Sequence, residues 1–126
     1  MRLAHIGIPI TQTSDIETFY IGLLDMTLKY QFEMAREMTR RIFGVSRSVP
    51  VYMLEKDDVL LELFCLDDAS ANCFQHVCLW VEDRAELIER AKKPGYKIDI
   101  IPRSESEIVF IFDSSGNRFE IKQSAQ

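Results

Sequence analysis

The chain has 126 residues, 47% of them hydrophobic, enough for one compact domain with a real core rather than two independent ones. A formal charge of -5 and a pI near 5.0 supply no basic field for a nucleic-acid backbone or an anionic membrane surface, so nucleic-acid and membrane partners are excluded. No apolar run reaches the length of a membrane span and no leader-like segment opens the chain, so a cytoplasmic location is expected.

In chain order, Leu3 to Ile10 alternates as a strand, with Pro9 placing it near an end or an edge. Ser14-Asp15-Ile16-Glu17 has capping-box spacing, and Ile16, Phe19, Tyr20 and Leu23 follow at helical intervals, which predicts a helix from about Asp15 to Leu24. Thr27 to Glu33 reads as a strand. Met34 to Arg41 mixes charged and apolar residues without a clear period and is expected to be a loop or a strand pair. Val49 to Glu55 and Val59 to Leu66 form a hairpin around Lys56-Asp57-Asp58. Asp67 to Cys73 is a short polar linker. Phe74 to Val81 is the next strand, and Asp83, with Glu86 three residues on, caps a helix carrying Leu87, Ile88 and Ala91 that stops at Pro94-Gly95. Tyr96 to Ile101, Ile108 to Asp113 and Asn117 to Lys122 complete the strands, the last two joined by a turn at residues 114–117.

Two copies of one pattern emerge from this order. Each begins with a histidine on a first strand, His5 or His76, continues through a helix, and ends with a carboxylate on a last strand, Glu62 or Glu120. Ile16 follows His5 by 11 residues and Leu87 follows His76 by 11, so the register holds. Glu62 follows His5 by 57 residues and Glu120 follows His76 by 44, which leaves 13 extra residues in the first copy, most easily placed as a loop between Phe32 and Val49. The modules are therefore residues 1–66 and 74–126.

Two imidazoles and two carboxylates delivered by related strands are a sound ligand set for a divalent cation that keeps positions open for water or substrate. A lone strand histidine is more often structural than a ligand, and a strand glutamate usually faces solvent. Here, however, the chain's only two histidines occupy equivalent positions, each followed by an equivalent carboxylate. Alternation places Arg118, Glu120 and Lys122 on the polar face of the last strand, and His76, Cys78 and Trp80 on one face of the strand opening the second copy. Glu62, between Leu61 and Leu63, is costly to bury unless something pairs with it. Trp80, Arg103, Arg36, Arg40 and Arg41 are candidates to meet an anionic substrate, though a solvated face is the plainer account of the arginines. Cys65, Cys73 and Cys78 form no Cys-x-x-Cys pair and leave an odd count, the pattern of reduced thiols, and Cys78 reads as a small buried apolar residue.

Through His5-Ile-Gly-Ile, Phe19-Tyr20-x-Gly22-Leu23, Leu61-Glu62-Leu63, His76-Val-Cys-Leu-Trp-Val and the closing Phe112-Asp113-Ser-Ser-Gly116-Asn117-Arg-Phe-Glu120-Ile, the whole chain resembles the vicinal oxygen chelate superfamily of glyoxalases, bleomycin-resistance proteins and dioxygenases. The resemblance implies an α+β fold, two βαβββ modules forming curved mixed sheets around a metal cleft. It implies a divalent ion, Zn, Ni, Co, Fe or Mn, at His5, Glu62, His76 and Glu120, as in members like lactoylglutathione lyase and methylmalonyl-CoA epimerase. The implied activity is that of a lyase or isomerase moving a proton through a metal-bound enediolate of a small oxygenated substrate, with Glu62 or Glu120 as the base. The stretch before His76 lacks the Tyr-Gly-His ending common in glutathione-using lyases, which argues against glutathione. Fosfomycin-modifying and extradiol dioxygenase members typically use two histidines and one glutamate, so a carboxylate at Glu62 leans away from both. The alternatives are a binding protein that sequesters a metabolite or antibiotic without turnover, or a dioxygenase of the same superfamily. Two-module relatives often form homodimers, in some of which one chain's first module closes the site with the partner's second. The short 67–73 linker favours that shared arrangement.

Overall fold

The computed structural model describes residues 2–68 and 75–125 and divides the chain into two compact units, Met1–Ala69 and Ser70–Gln126. Each unit holds one open four-stranded mixed sheet with the same order, first strand, last strand, third strand, second strand. This is the expected α+β pattern of two βαβββ modules. Among the described residues no helix is long and apolar enough to cross a membrane.

In the first unit β1 (Ile6–Ile10) runs parallel to β4 (Val59–Cys65), which pairs antiparallel with β3 (Val49–Lys56), and β3 pairs with the edge strand β2 (Thr27–Met34). Asp57, at φ 51, and Asp58 turn the β3–β4 hairpin. One sheet face carries the core residues Ile8, Ile10, Leu54, Leu61 and Leu63. The expected first helix is present in place but not in kind: Ile16–Ile21 is a π-helix, and Asp15 at its N-cap makes no side-chain capping hydrogen bond. Gly22 N–H donates to Glu17 O at 2.8 Å and Leu24 N–H to Phe19 O at 2.9 Å, both reaching back five residues. Within that coil the sequence neighbours Phe19 and Tyr20 are both fully buried, their rings edge to face at 5.0 Å.

Gly22 permits this winding. A Cβ there would lie 2.8 Å from Thr18 O and 2.9 Å from Glu17 O, both backbone atoms that cannot swing aside. Gly22→Ala is therefore expected to destabilise the fold by about 1–3 kcal/mol, the usual range for forced overpacking, despite the helix preference of alanine. The midpoint of urea unfolding reads the effect, and an unchanged or higher midpoint would refute it.

The segment expected as a loop or strand pair is a helix, α1 (Arg36–Phe43). Its charged residues do not break the helix because they satisfy it: Arg40 pairs with Glu37 at 3.1 Å, Thr39 Oγ1 donates to Ala35 O, and Gly44, at φ 74, ends it with an N–H to Arg40 O. Thr39 is buried, and the Phe43 ring meets Phe64 edge to face at 5.0 Å. The insertion expected in the first copy thus contains an eight-residue helix between β2 and β3.

In the second unit β5 (Val77–Val81) runs parallel to β8 (Arg118–Gln123), followed by β7 (Glu107–Phe112) and the edge strand β6 (Ile98–Pro102). The helix α2 (Arg84–Lys92) is capped as expected, the Asp83 carboxylate accepting from Glu86 N–H at 3.0 Å. It buries Leu87, Ile88 and Ala91 and packs against β6 and β8, whose Phe119 and Ile121 are fully buried. The β7–β8 turn is held by Asp113: its carboxylate accepts from Ser115 N–H, Asn117 N–H and the Asn117 side-chain amide, while Gly116 takes φ 85. Cys65 and Cys78 are free thiols, as expected, and Cys73 lies outside the described residues.

Candidate metal centre

The strand registers place the two modules' chemistry at equivalent points. Gly7 on β1 stands beside Glu62 on β4, Glu62 beside Met53 on β3, and Met53 beside Tyr30 on β2. In the second module Cys78 stands beside Glu120, Glu120 beside Phe110, and Phe110 beside Asp99. Side chains at paired positions share a face, so Glu62 lies on the face opposite Leu61 and Leu63, and Glu120 on the face opposite Phe119 and Ile121. His5 lies two residues before Gly7 and His76 two before Cys78. Both histidines stand one residue before their strands rather than on them, because pairing starts at Ile6 and Val77.

Each histidine meets its own module's glutamate. His5 Nε2 lies 3.4 Å from Glu62 Oε1, and His76 Nε2 lies 3.9 Å from Glu120 Oε1. The imidazoles are 45% and 41% exposed and the carboxylates 17% and 20%, so each glutamate is the more deeply set member of its pair. Two donors bound to one ion at roughly 2.1 Å and near-tetrahedral angles sit roughly 3.4 Å apart. The first pair already has that separation and the second needs a small closure. Imidazole nitrogens with carboxylate oxygens also suit a borderline divalent cation. Among the described residues no group of three or more His, Cys, Asp or Glu gathers as a metal site. Each module therefore offers two donors, an imidazole and a carboxylate.

The surroundings of the two pairs differ. Glu120 Oε2 accepts from the Cys78 thiol at 3.2 Å and lies 3.7 Å from Lys122 Nζ. Cys78 is exposed on the Glu120 face, not the buried apolar residue expected of it. Partial burial, then the hydrogen bond and charge of Glu120, push its thiol above the ordinary value against the pull of Lys122. Among the described residues Glu62 has the His5 contact and no other polar partner. Trp80 is 68% exposed, with Lys122 Nζ 5.4 Å from its ring centroid. Of the arginines singled out above, Arg40 is engaged by Glu37 and Arg103 by Ser106 Oγ at 3.2 Å, neither with a link to Glu62 or Glu120.

Aromatic residues around the glutamates were not singled out from the sequence. The His76 ring stands edge-on to Phe110 at 6.0 Å, and Tyr30 and Phe32 lie on the Glu62 face with ring centroids 6.1 Å apart. Their signal is the cross-strand pairing, which a single chain pattern does not contain.

Comparison with known proteins gives concordant results. The family model described as Glyoxalase/Bleomycin resistance protein/Dioxygenase superfamily matches residues 2–121. A sequence comparison with curated proteins finds no match. Among solved structures, a glyoxalase family protein from Bacillus cereus is 17% identical with a TM-score of 0.75, covering 100% of this chain and 95% of that one. The genomically encoded fosfomycin resistance protein FosX from Listeria monocytogenes is 13% identical with a TM-score of 0.75, covering 99% and 94%. The same protein complexed with Mn(II) and sulfate is 14% identical with a TM-score of 0.71, covering 98% and 92%. At these identities the likeness is one of fold.

Proposed function

The chain belongs to the Glyoxalase/Bleomycin resistance protein/Dioxygenase superfamily, and from that premise we propose a metal-dependent enzyme of the glyoxalase type, a lyase or isomerase that moves a proton on a small oxygenated substrate. One observation carries the reading: in each module an imidazole Nε2 lies 3.4 or 3.9 Å from a carboxylate oxygen, the histidine standing two residues before the position paired with that glutamate. The ligands are His5, Glu62, His76 and Glu120, and the ion is divalent, one of Zn, Ni, Co, Fe or Mn. The Mn(II) bound by the Listeria protein supports that class of ion. Once bound, the ion supplies Lewis acidity, polarising a substrate carbonyl so that the neighbouring proton leaves more easily. The site belongs to a cytoplasmic homodimer and is completed across its two chains.

The chain's own residues then divide the work. His5 and His76 hold, through Nε2. Glu120 is itself held, by the Cys78 thiol and the Lys122 ammonium, and its role is to bind and orient. Glu62 is fixed by fewer neighbours, so of the two carboxylates it is the one that would give up its place as a ligand when substrate arrives and accept the proton.

Metal content and thermal stability test the reading together. An ion that binds the native chain alone stabilises it by about 2.7 kcal/mol at a hundred times its Kd, which for a chain of 126 residues raises the melting temperature by roughly 10 °C. Protein purified without chelator is expected to hold stoichiometric metal by elemental analysis, to lose it in His5→Ala and His76→Ala, and to lose the thermal rise in Glu62→Gln/Glu120→Gln. Absence of bindable metal would overturn the enzyme in favour of a protein that sequesters a metabolite or antibiotic. An unchanged rise in the double variant would move the metal elsewhere. Hemithioacetals, acyl-CoA epimers, catechols and fosfomycin form the substrate panel.

A further inference from the structure

Resting on the reading above, we propose that the substrate carries a flat apolar body, an aromatic ring or its equivalent, which lies on Tyr30 and Phe32 while its oxygens reach the His5–Glu62 pair. The two residues belong to rows that run directly to the glutamate. One row is Gly7, Glu62, Met53, Tyr30; the next along the strands is Pro9, Phe64, Val51, Phe32. Between the carboxylate and the rings stand the apolar Val51 and Met53, 0% and 3% exposed and so covered by neighbouring side chains, which leaves the Tyr30 and Phe32 rings as the open part of these rows. From β4 to β2 is two strand spacings, roughly 10 Å, which a ring one or two bonds from its oxygens spans only together with its contact distances to the donors at one end and to the aromatic rings at the other.

The rings themselves are open. Tyr30 is 50% and Phe32 40% exposed on an edge strand, where exposed apolar side chains invite unwanted pairing. The second module has Asp99 in the place of Tyr30 and Ile101, 40% exposed, in the place of Phe32, so the pair of rings is not a requirement of the fold. A bulge at Lys29 is what turns Tyr30 and Phe32 onto the Glu62 face. At the far end the inserted helix α1 sets Phe43 against Phe64 and extends the apolar surface with residues the second module lacks. A flat ring gains most on such a surface, by area and by offset or edge contacts.

Mandelate and lactate share one α-hydroxycarboxylate head and differ by phenyl against methyl, which makes them the probe pair. Titration calorimetry on the Mn(II)-loaded protein is expected to give mandelate about tenfold tighter binding than lactate. In Tyr30→Thr/Phe32→Thr, whose threonines keep the strand preference, that ratio should fall to within about twofold at unchanged metal stoichiometry. Phe32→Thr alone should fall between, and serves if the double variant does not fold. Equal binding by the wild type, no binding of either probe, or a ratio unchanged in the variants would overturn the proposal. Dissociation of a dimer in the variants with the ratio intact would also overturn it, making the rings a subunit contact. Protein that holds no metal yet keeps the mandelate preference would refute the enzyme reading and leave the ring-binding surface standing.

Discussion

Glu62→Gln is expected to lower kcat by about 10²–10⁴-fold at saturating metal, the range that a positioned general base contributes and about 2.7–5.4 kcal/mol of transition-state stabilisation. Glutamine keeps the shape of the side chain and one oxygen able to ligate, but it accepts no proton. The buried Leu61 and Leu63 on either side hold the backbone in place, so the substitution tests chemistry and not folding. Glu120→Gln separates the two carboxylates. Its side chain is tied to the Cys78 thiol at 3.2 Å and faces Lys122 at 3.7 Å, so its loss should weaken metal binding and be largely repaired by excess metal. Exchange of the substrate's α-proton for deuterium, followed by NMR at graded metal concentration, distinguishes a slower step from an emptier site. A Glu62→Gln protein that exchanges at the wild-type rate, or a Glu120→Gln protein that excess metal does not rescue, would reverse the assignment.

The approach of each histidine to its own module's glutamate is legible in the sequence because it depends on few variables. A chain with two histidines, each opening an alternating segment, and two strand glutamates at matching places leaves little freedom in pairing them, and the alternation about Glu120 gives its face directly. What the sequence does not contain is set by packing between segments. The π-helical winding at Ile16–Ile21 follows from burying both Phe19 and Tyr20 and from the bare Cα of Gly22, whereas the period of the apolar residues fits an ordinary helix equally well. In α1, Arg40 and Arg41 obscure the helical pattern because only Thr39 is buried, and nothing in the local sequence announces that Phe43 will find Phe64. On β2 strict alternation puts Leu28, Tyr30 and Phe32 on one face. The bulge after Leu28 leaves Leu28 beside Leu54 and turns Tyr30 and Phe32 to the side of Met53 and Glu62. One unpaired residue therefore decides whether those rings serve the core or the site, and only the partner strand reveals it.

Co-refolding His5→Ala with Glu120→Ala is expected to restore metal binding and activity that neither variant shows alone. Each module carries one histidine–glutamate pair, so a four-ligand centre needs a first module and a second module, and the proposal is that these come from different chains of a homodimer. In a mixed dimer the first module of the Glu120→Ala chain is intact, as is the second module of the His5→Ala chain. If they meet, that site carries no lesion, while the other site of the same dimer carries both. Random pairing makes half of the dimers mixed, and half of their sites are whole, so activity and bound metal should return to about a quarter of wild type. If each centre is built within one chain, every site keeps a lesion whatever the pairing, and nothing returns. Mass spectrometry under native conditions counts the mixed dimers, which removes failed exchange as an explanation. Recovery near a quarter supports the shared centre, and mixed dimers without recovery would place all four ligands of each centre in one chain.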